Sequence, residues 1–137
     1  MITKRTKARE VALQLLYRSD LNPKLSEKQV KEFIDARLLD LKSREFAKLL
    51  YTSTKELQPQ LDETLAKSTD NWKLPRMAAV DRNLLRLGAY ELAHQKETPV
   101  EVILNESIEL ARRFGTSDSP AFINGILDKV RQTERPS

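Results

Sequence analysis

Asn71-Trp72-Lys73-Leu74-Pro75-Arg76-Met77-Ala78-Ala79-Val80-Asp81-Arg82-Asn83-Leu84-Leu85-Arg86-Leu87-Gly88-Ala89-Tyr90-Glu91-Leu92-Ala93-His94 is the stretch whose reading decides the fold. After Pro75 every residue to Ala93 suits a helix, and Gly88 is the one weak helix former. At about 100° per residue, Met77, Val80, Leu84, Gly88 and Leu92 fall along one side. Ala78, Leu85 and Ala89 widen that side, and Leu87 extends it the other way. A helix apolar round so much of its circumference packs on several sides. This segment is therefore expected to be the central helix, with Trp72, the only tryptophan, anchoring its entry.

The same helix carries charge in awkward places. Asp81 and Glu91 project into the sector of Met77, Leu84 and Gly88. Buried carboxylates need partners. One reading is internal ion pairs to neighbouring helices, with Arg76, Arg82 and Arg86 as the nearby cations. The other is that part of this side is a groove for a basic partner protein.

Working outward, residues 3 to about 18 read as a helix with Ala8, Val11, Ala12, Leu15 and Leu16 on its apolar side and Thr3 or Thr6 as cap. Tyr17, at its end, reads as a core residue more readily than as an interface residue. Ser26-Glu27-Lys28-Gln29 is a capping box that opens a helix bearing Val30, Phe33, Ile34, Leu38 and Leu41. Ser43 can start a third helix with Phe46, Leu49, Leu50 and Leu57 on one side, and Pro59 fits the first position of a short fourth. Asp70-Asn71 marks the turn into the central helix. Beyond His94, Thr98-Pro99-Val100-Glu101 combines a cap, an early proline and a capping-box glutamate. That helix runs to Phe114 and is stopped by Gly115. Ser119-Pro120 begins the last one, striped with Ile123, Ile126, Leu127 and Val130, and the tail from Thr133 to Ser137 reads as frayed. The period is 3.6 throughout and no strand pattern occurs, so the fold class is all-α.

Across 137 residues the formal net charge is +4, and the sequence pI is about 9.4. The excess is local: Lys4, Arg5, Lys7, Arg9 and Arg18 face Glu10 alone within the first helix, and the rest of the chain is balanced. Four cations around a helix start oppose the helix dipole. Either they mark an anion site suited to phosphates or they belong to a solvated, frayed terminus. With no cysteine, disulfides, thiolate chemistry and sulfur-ligated metals are excluded. No apolar run is long enough to span a membrane and no signal-peptide pattern appears, which fits a cytoplasmic protein.

The inventory for catalysis is thin. His94 is the only histidine, so no histidine cluster for a metal exists. There is no glycine-rich phosphate loop, no nucleophile elbow and no carboxylate pair marked as acid and base. No catalytic residue, metal or cofactor is expected. The last helix offers more. Phe122 lies about 90° from the centre of the apolar stripe and shares a side with Gly125 and Lys129. An aromatic on such a bare, basic side can stack on an unpaired base, with Asp118 and Asn124 bonding base edges. The alternative is that Phe122 packs on a neighbouring helix and Gly125 lets that helix approach.

These residues resemble the NusB family of bacterial transcription antitermination factors. The resemblance rests on Lys7-Ala8-Arg9-Glu10 through Leu16-Tyr17, Asn71-Trp72 with Arg76, Asp81-Arg82-Asn83-Leu84-Leu85-Arg86, Tyr90-Glu91-Leu92, and Pro99 through Asn105-Glu106. It continues through Ala111, Phe114-Gly115-Thr116, Asp118-Ser119 and Phe122-Ile123-Asn124-Gly125-Ile126-Leu127-Asp128, so it spans nearly the whole chain. It implies about seven helices in two roughly perpendicular three-helix bundles, about 1–70 and about 71–134, within one RNA-binding domain covering 1–137. It implies binding of boxA-like single-stranded RNA in nascent ribosomal transcripts. It also implies a heterodimer with NusE, a small-subunit ribosomal protein, and service to RNA polymerase with other Nus factors.

By position, the family's RNA contacts map onto Lys4, Arg5, Lys7 and Arg9 and onto Asp118 and Phe122, with Arg76 beside them. Asn124 and Lys129 join them from the reading of the last helix. The partner surface maps onto Tyr17, Asp81 and Glu91. The basic run is interrupted by Thr6, and Pro120-Ala121 stands where relatives often carry a basic residue. Fewer phosphate contacts are therefore expected, with a flatter salt dependence. The competing reading is a helical protein-interaction adaptor whose basic end is incidental.

Overall fold

The computed structural model describes residues 2–69 and 74–136. Seven α-helices and one 3-10 turn account for the ordered backbone, and no strand occurs among the described residues. The helices are α1 (Lys4–Leu21), α2 (Glu27–Arg37), α3 (Leu41–Glu56), α4 (Gln58–Lys67), α5 (Ala79–His94), α6 (Val100–Phe114) and α7 (Ser119–Glu134), with the 3-10 turn at Leu74–Arg76 between α4 and α5.

Local chemistry explains most of the boundaries. The Thr3 hydroxyl accepts the Thr6 N–H at 3.0 Å, which starts α1. Ser26 and Gln29 close a reciprocal capping box at 3.1 and 2.9 Å, as their spacing predicts. For α3 the cap is Asp40 rather than Ser43: its carboxylate accepts the Ser43 N–H at 3.0 Å. Two other expectations are corrected. Met77 and Ala78 lie ahead of α5, because Pro75 sits in the 3-10 turn and Ala78 is extended. Thr98 does not cap α6, whose N-cap is Pro99 with no side-chain hydrogen bond. Trp72 and the turn at Asp70-Asn71 lie outside the described residues.

α5 is central in the literal sense. It packs against α1, α3 and α4 on one part of its circumference and against α6 and α7 on the rest. Every residue from Asn83 to Leu92 is buried. α1 also packs on α2 and α3, and α6 on α7. Gly88 is where α5, α6 and α7 come closest. A Cβ placed there would lie 2.6 Å from Leu127 Cδ1 and 3.2 Å from Ser107 Oγ. The weak helix former is therefore kept by close approach. Gly115, the stop of α6, is extended (φ −97°, ψ −163°), not left-handed. A Cβ there would meet the Ser119 side chain and the Ala111 carbonyl at 2.9 Å, so its constraint is steric. Leu49, expected on the apolar side of α3, is instead 45% exposed.

The tail is not frayed at residue 135. Arg135 donates to the carbonyls of Glu91 (3.2 Å), Leu92 (2.9 Å), Gln95 (2.7 Å) and Thr98 (2.6 Å). One guanidinium thus ties the last turn of α5 and the loop after it to the end of α7, adding to the N–H bonds that Glu91 and Gln95 already accept from Gln95 and Thr98.

Candidate nucleic-acid interface

The first turns of α1 divide their side chains by helical angle. Lys4, Arg5 and Lys7 are exposed, whereas Thr6 and Arg9 point inward and are buried. None of the three exposed cations forms an ion pair among the described residues. Arg5 lies over the Phe46 ring at 3.9 Å, which fixes its stem against α3. The break in the basic run at Thr6 has a packing reason: the Thr6 hydroxyl donates to Glu106 of α6 at 2.7 Å.

Arg9 is 3% exposed and Glu91 is 1% exposed. The Arg9 Nε donates to both Glu91 oxygens, at 3.1 and 3.0 Å, and its Nη1 donates to Glu106 at 3.0 Å. Two expectations are corrected here together. Arg9 was assigned to the RNA surface and Glu91 to the partner surface, but in the folded chain neither is a surface group. Two charges taken out of water cost least when they face each other. The counter-charge of Glu91 is thus Arg9 of α1, not Arg76, Arg82 or Arg86 of its own segment. Burial pushes the Glu91 carboxyl up, and the hydrogen bond and charge of Arg9 offset only part of that.

At the other end of the expected interface, Asp118 is exposed and makes no side-chain cap to α7. Phe122 is half-buried and packs against the core without being sealed in it. Asn124, Gly125 and Lys129 are exposed. A Cβ placed on Gly125 would meet nothing within 4 Å. No described residue comes close at Gly125. Arg76, in the 3-10 turn, is exposed. The elements that carry the two ends of the expected interface each adjoin α6. Thr6 and Arg9 hold Glu106, Glu10 pairs with Arg113 at 3.1 Å, and α7 begins after the short turn that follows Phe114.

Tyr17 is 38% exposed, so the core reading of this residue is overturned. It lines an open cavity of about 380 Å³ with Leu13, Phe33, Val80 and Phe114, rimmed by Arg18 and Arg37. Asp81, next to Val80, is half-buried, and its Oδ1 lies buried with no hydrogen-bond partner. Below this cavity a second charged cluster ties α1 to α5. Asp20 accepts from Arg82 at 3.0 and 2.8 Å and from Asn83 at 2.9 Å, and Arg86 pairs with Asp62 of α4 at 2.8 Å. Burial alone would push the Asp20 carboxyl up, but hydrogen bonds from Arg82 and Asn83 and the charges of Arg82 and Arg86 hold it below its ordinary value. The sequence reading missed Asp20, Glu106 and Arg135. Glu106 and Asp20 lie on other helices from the cations they meet, so only the fold pairs them. No group of three or more histidine, cysteine or carboxylate residues that could hold a metal occurs among the described residues. Among the described residues no helix is long and apolar enough to cross a membrane.

Comparison with known proteins supplies the context for this geometry. The transcription antitermination protein NusB of Bacillus subtilis is 44% identical over 128 residues, which cover 93% of this chain and 95% of that protein. The NusB of Sorangium cellulosum is 40% identical over 128 residues, 93% of this chain and 91% of that one. Among solved structures, Thermotoga maritima NusB superposes with a TM-score of 0.90 at 34% identity, covering 99% of this chain and 96% of that one. A chain from the crystal structure of antitermination factors NusB and NusE in complex with dsRNA gives a TM-score of 0.87 at 25% identity, covering 97% and 99%. The NusB family model matches residues 6–132. The all-helical order, the cationic start strapped to α6 and these matches carry one conclusion: the chain belongs to the NusB family.

Proposed function

We propose that this protein is a transcription antitermination factor that binds boxA-like single-stranded RNA in nascent ribosomal transcripts as a heterodimer with NusE. It serves RNA polymerase together with other Nus factors, in the cytoplasm, with no catalysis and no cofactor. It works as one domain over 1–137, with an N-terminal bundle to about residue 70 and a C-terminal bundle from about 71 to 134. Lys4, Arg5 and Lys7 meet phosphates. Phe122 stacks on a base, flanked by Asp118, Asn124 and Lys129, with Arg76 beside them. Tyr17 and Asp81 face NusE, whose basic character supplies a donor for the Asp81 carboxylate.

The observation that carries this reading is the exposed cationic start of α1, where Lys4, Arg5 and Lys7 make no ion pair among the described residues. Cations presented to solvent in this way can meet the phosphates of a strand. The solved neighbour that holds NusB, NusE and dsRNA supports the pairing of RNA with NusE. Gel shift tests it, with a short boxA-like RNA, a scrambled RNA and a duplex of the same sequence, each with and without NusE. Preference for the boxA-like single strand, strengthened by NusE, is the expected outcome. Equal retardation of all three RNAs favours the adaptor reading. Phe122→Ala is expected to weaken binding by about 1–3 kcal/mol, the worth of one stacked base.

A further inference from the structure

We propose that Arg9 serves RNA binding as a positioning residue: its guanidinium, clamped between Glu91 and Glu106, sets the pose of α1 and thereby aims the exposed cations Lys4, Arg5 and Lys7. The proposal rests on the reading of those cations as phosphate contacts. By its place in the sequence Arg9 belongs to the same basic run. By its place in the fold it does not, because it is 3% exposed and all its observed polar contacts go to carboxylates at 3.0 to 3.1 Å.

The geometry gives the clamp its leverage. Glu91 belongs to α5 and Glu106 to α6, so one side chain of α1 is fixed against two other helices at once. A guanidinium fork constrains direction as well as distance. Thr6, one turn earlier, adds a second bond to the same Glu106. Lys4, Arg5 and Lys7 sit within the turn and a half before Arg9. Any rotation or lift of α1 therefore displaces all three at once. Phosphates along a strand have fixed spacing, so cations displaced together lose register together.

Removing only one charge leaves the other buried and unpaired. Replacing both with apolar groups of similar size can restore packing, and with it the pose of the helix. That asymmetry makes the proposal testable. Binding of a short single-stranded boxA-like RNA is measured over a salt series for the wild type, Arg9→Met, Glu91→Leu and the double variant. Urea unfolding defines the folded fraction of each. Arg9→Met and Glu91→Leu are both expected to weaken binding roughly tenfold, although Glu91 has no access to RNA. The double variant is expected to recover to within about threefold of wild type, with the wild-type salt slope. A double variant that stays weak overturns the proposal. A salt slope reduced by about 0.7 in every Arg9 variant would identify Arg9 as a phosphate contact instead. If either single variant fails to fold, the double variant against wild type decides alone. Lys4→Ala and Lys7→Ala serve as the separate control. If neither changes affinity or slope, the assignment of α1 to RNA is what has failed.

Discussion

Two charged clusters tie α1 to α5, one near each end of α5, and they differ in water. Toward the C-terminal end, Arg9 and Glu91 have side chains 4% and 2% exposed. Toward the N-terminal end, Asp20 and Arg82 have side chains 18% and 16% exposed. The pairing chemistry is the same, guanidinium to carboxylate. The carboxyl groups nevertheless shift in opposite directions, Glu91 up and Asp20 down. Desolvation wins where only Arg9 makes a direct bond to the carboxylate. It loses where Arg82, Asn83 and Arg86 share one partly wetted carboxylate. The sealed cluster therefore acts as a rigid constraint that is costly to break, and the rim cluster as a pH-dependent stabiliser.

The sharpest way to break the comparison is to remove one member of each cluster. Glu91→Ala strands Arg9 in the interior and is expected to destabilise by about 3–4 kcal/mol, read from urea midpoints. Asp20→Ala is expected to cost less, about 2 kcal/mol, because Arg86 keeps its pair with Asp62 and Arg82 keeps the carbonyls of Leu74 and Met77. Equal losses would mean that burial does not distinguish the two sites. Gly88→Ala separates packing from charge. It adds a Cβ 2.6 Å from the fully buried Leu127, so overpacking of about 1–2 kcal/mol is expected to exceed the gain in helix propensity. The same change at Gly125, where nothing lies within 4 Å, is expected to stabilise by about 0.5–1 kcal/mol. Under the proposed function it also crowds the base beside Phe122, so RNA affinity should fall while stability rises.

The smallest effects are in pH. The lowered Asp20 pKa contributes stability that is fully present above the ordinary carboxylate range and is lost as pH falls through the lowered value. Glu91 runs the other way. Its raised pKa contributes stability that is present below its ordinary value and lost as pH rises through the raised one. Denaturant midpoints measured from acid to neutral pH check both signs. Asp20→Asn should flatten the acid limb, and Glu91→Gln should abolish the decline just above the ordinary glutamate range.

Much of the fold was legible because it is written in local period. Apolar spacing at 3.6 residues marks the helices, and the Ser26–Gln29 box states its own geometry. Gly88 could be flagged as anomalous from propensity alone. What could not be read was which remote group meets which side chain. The sequence leaves Glu91 between a buried ion pair and a partner surface, because the cation that settles it lies 82 residues earlier. Arg9 follows Lys7 in the chain and reads as one of the basic cluster, because the carboxylates that bury it lie on α5 and α6. Tyr17 carries no periodic signal that separates a core ring from one lining a cavity. Leu49 fits the stripe of α3, but no helix covers that part of the stripe. For the proposed interface, the exposure of Asn124, Gly125 and Lys129 follows from their place off the apolar stripe of α7. That Arg9 and Glu91 are removed from the surface was not legible.

The guanidinium of Arg135 finishes a helix that ended some forty residues before it, reaching Glu91 and Gln95 at sequence separations of 44 and 40. The far end of the central helix is thereby fastened to α7 by a side chain as well as by packing, so α5 cannot unwind there without first freeing Arg135.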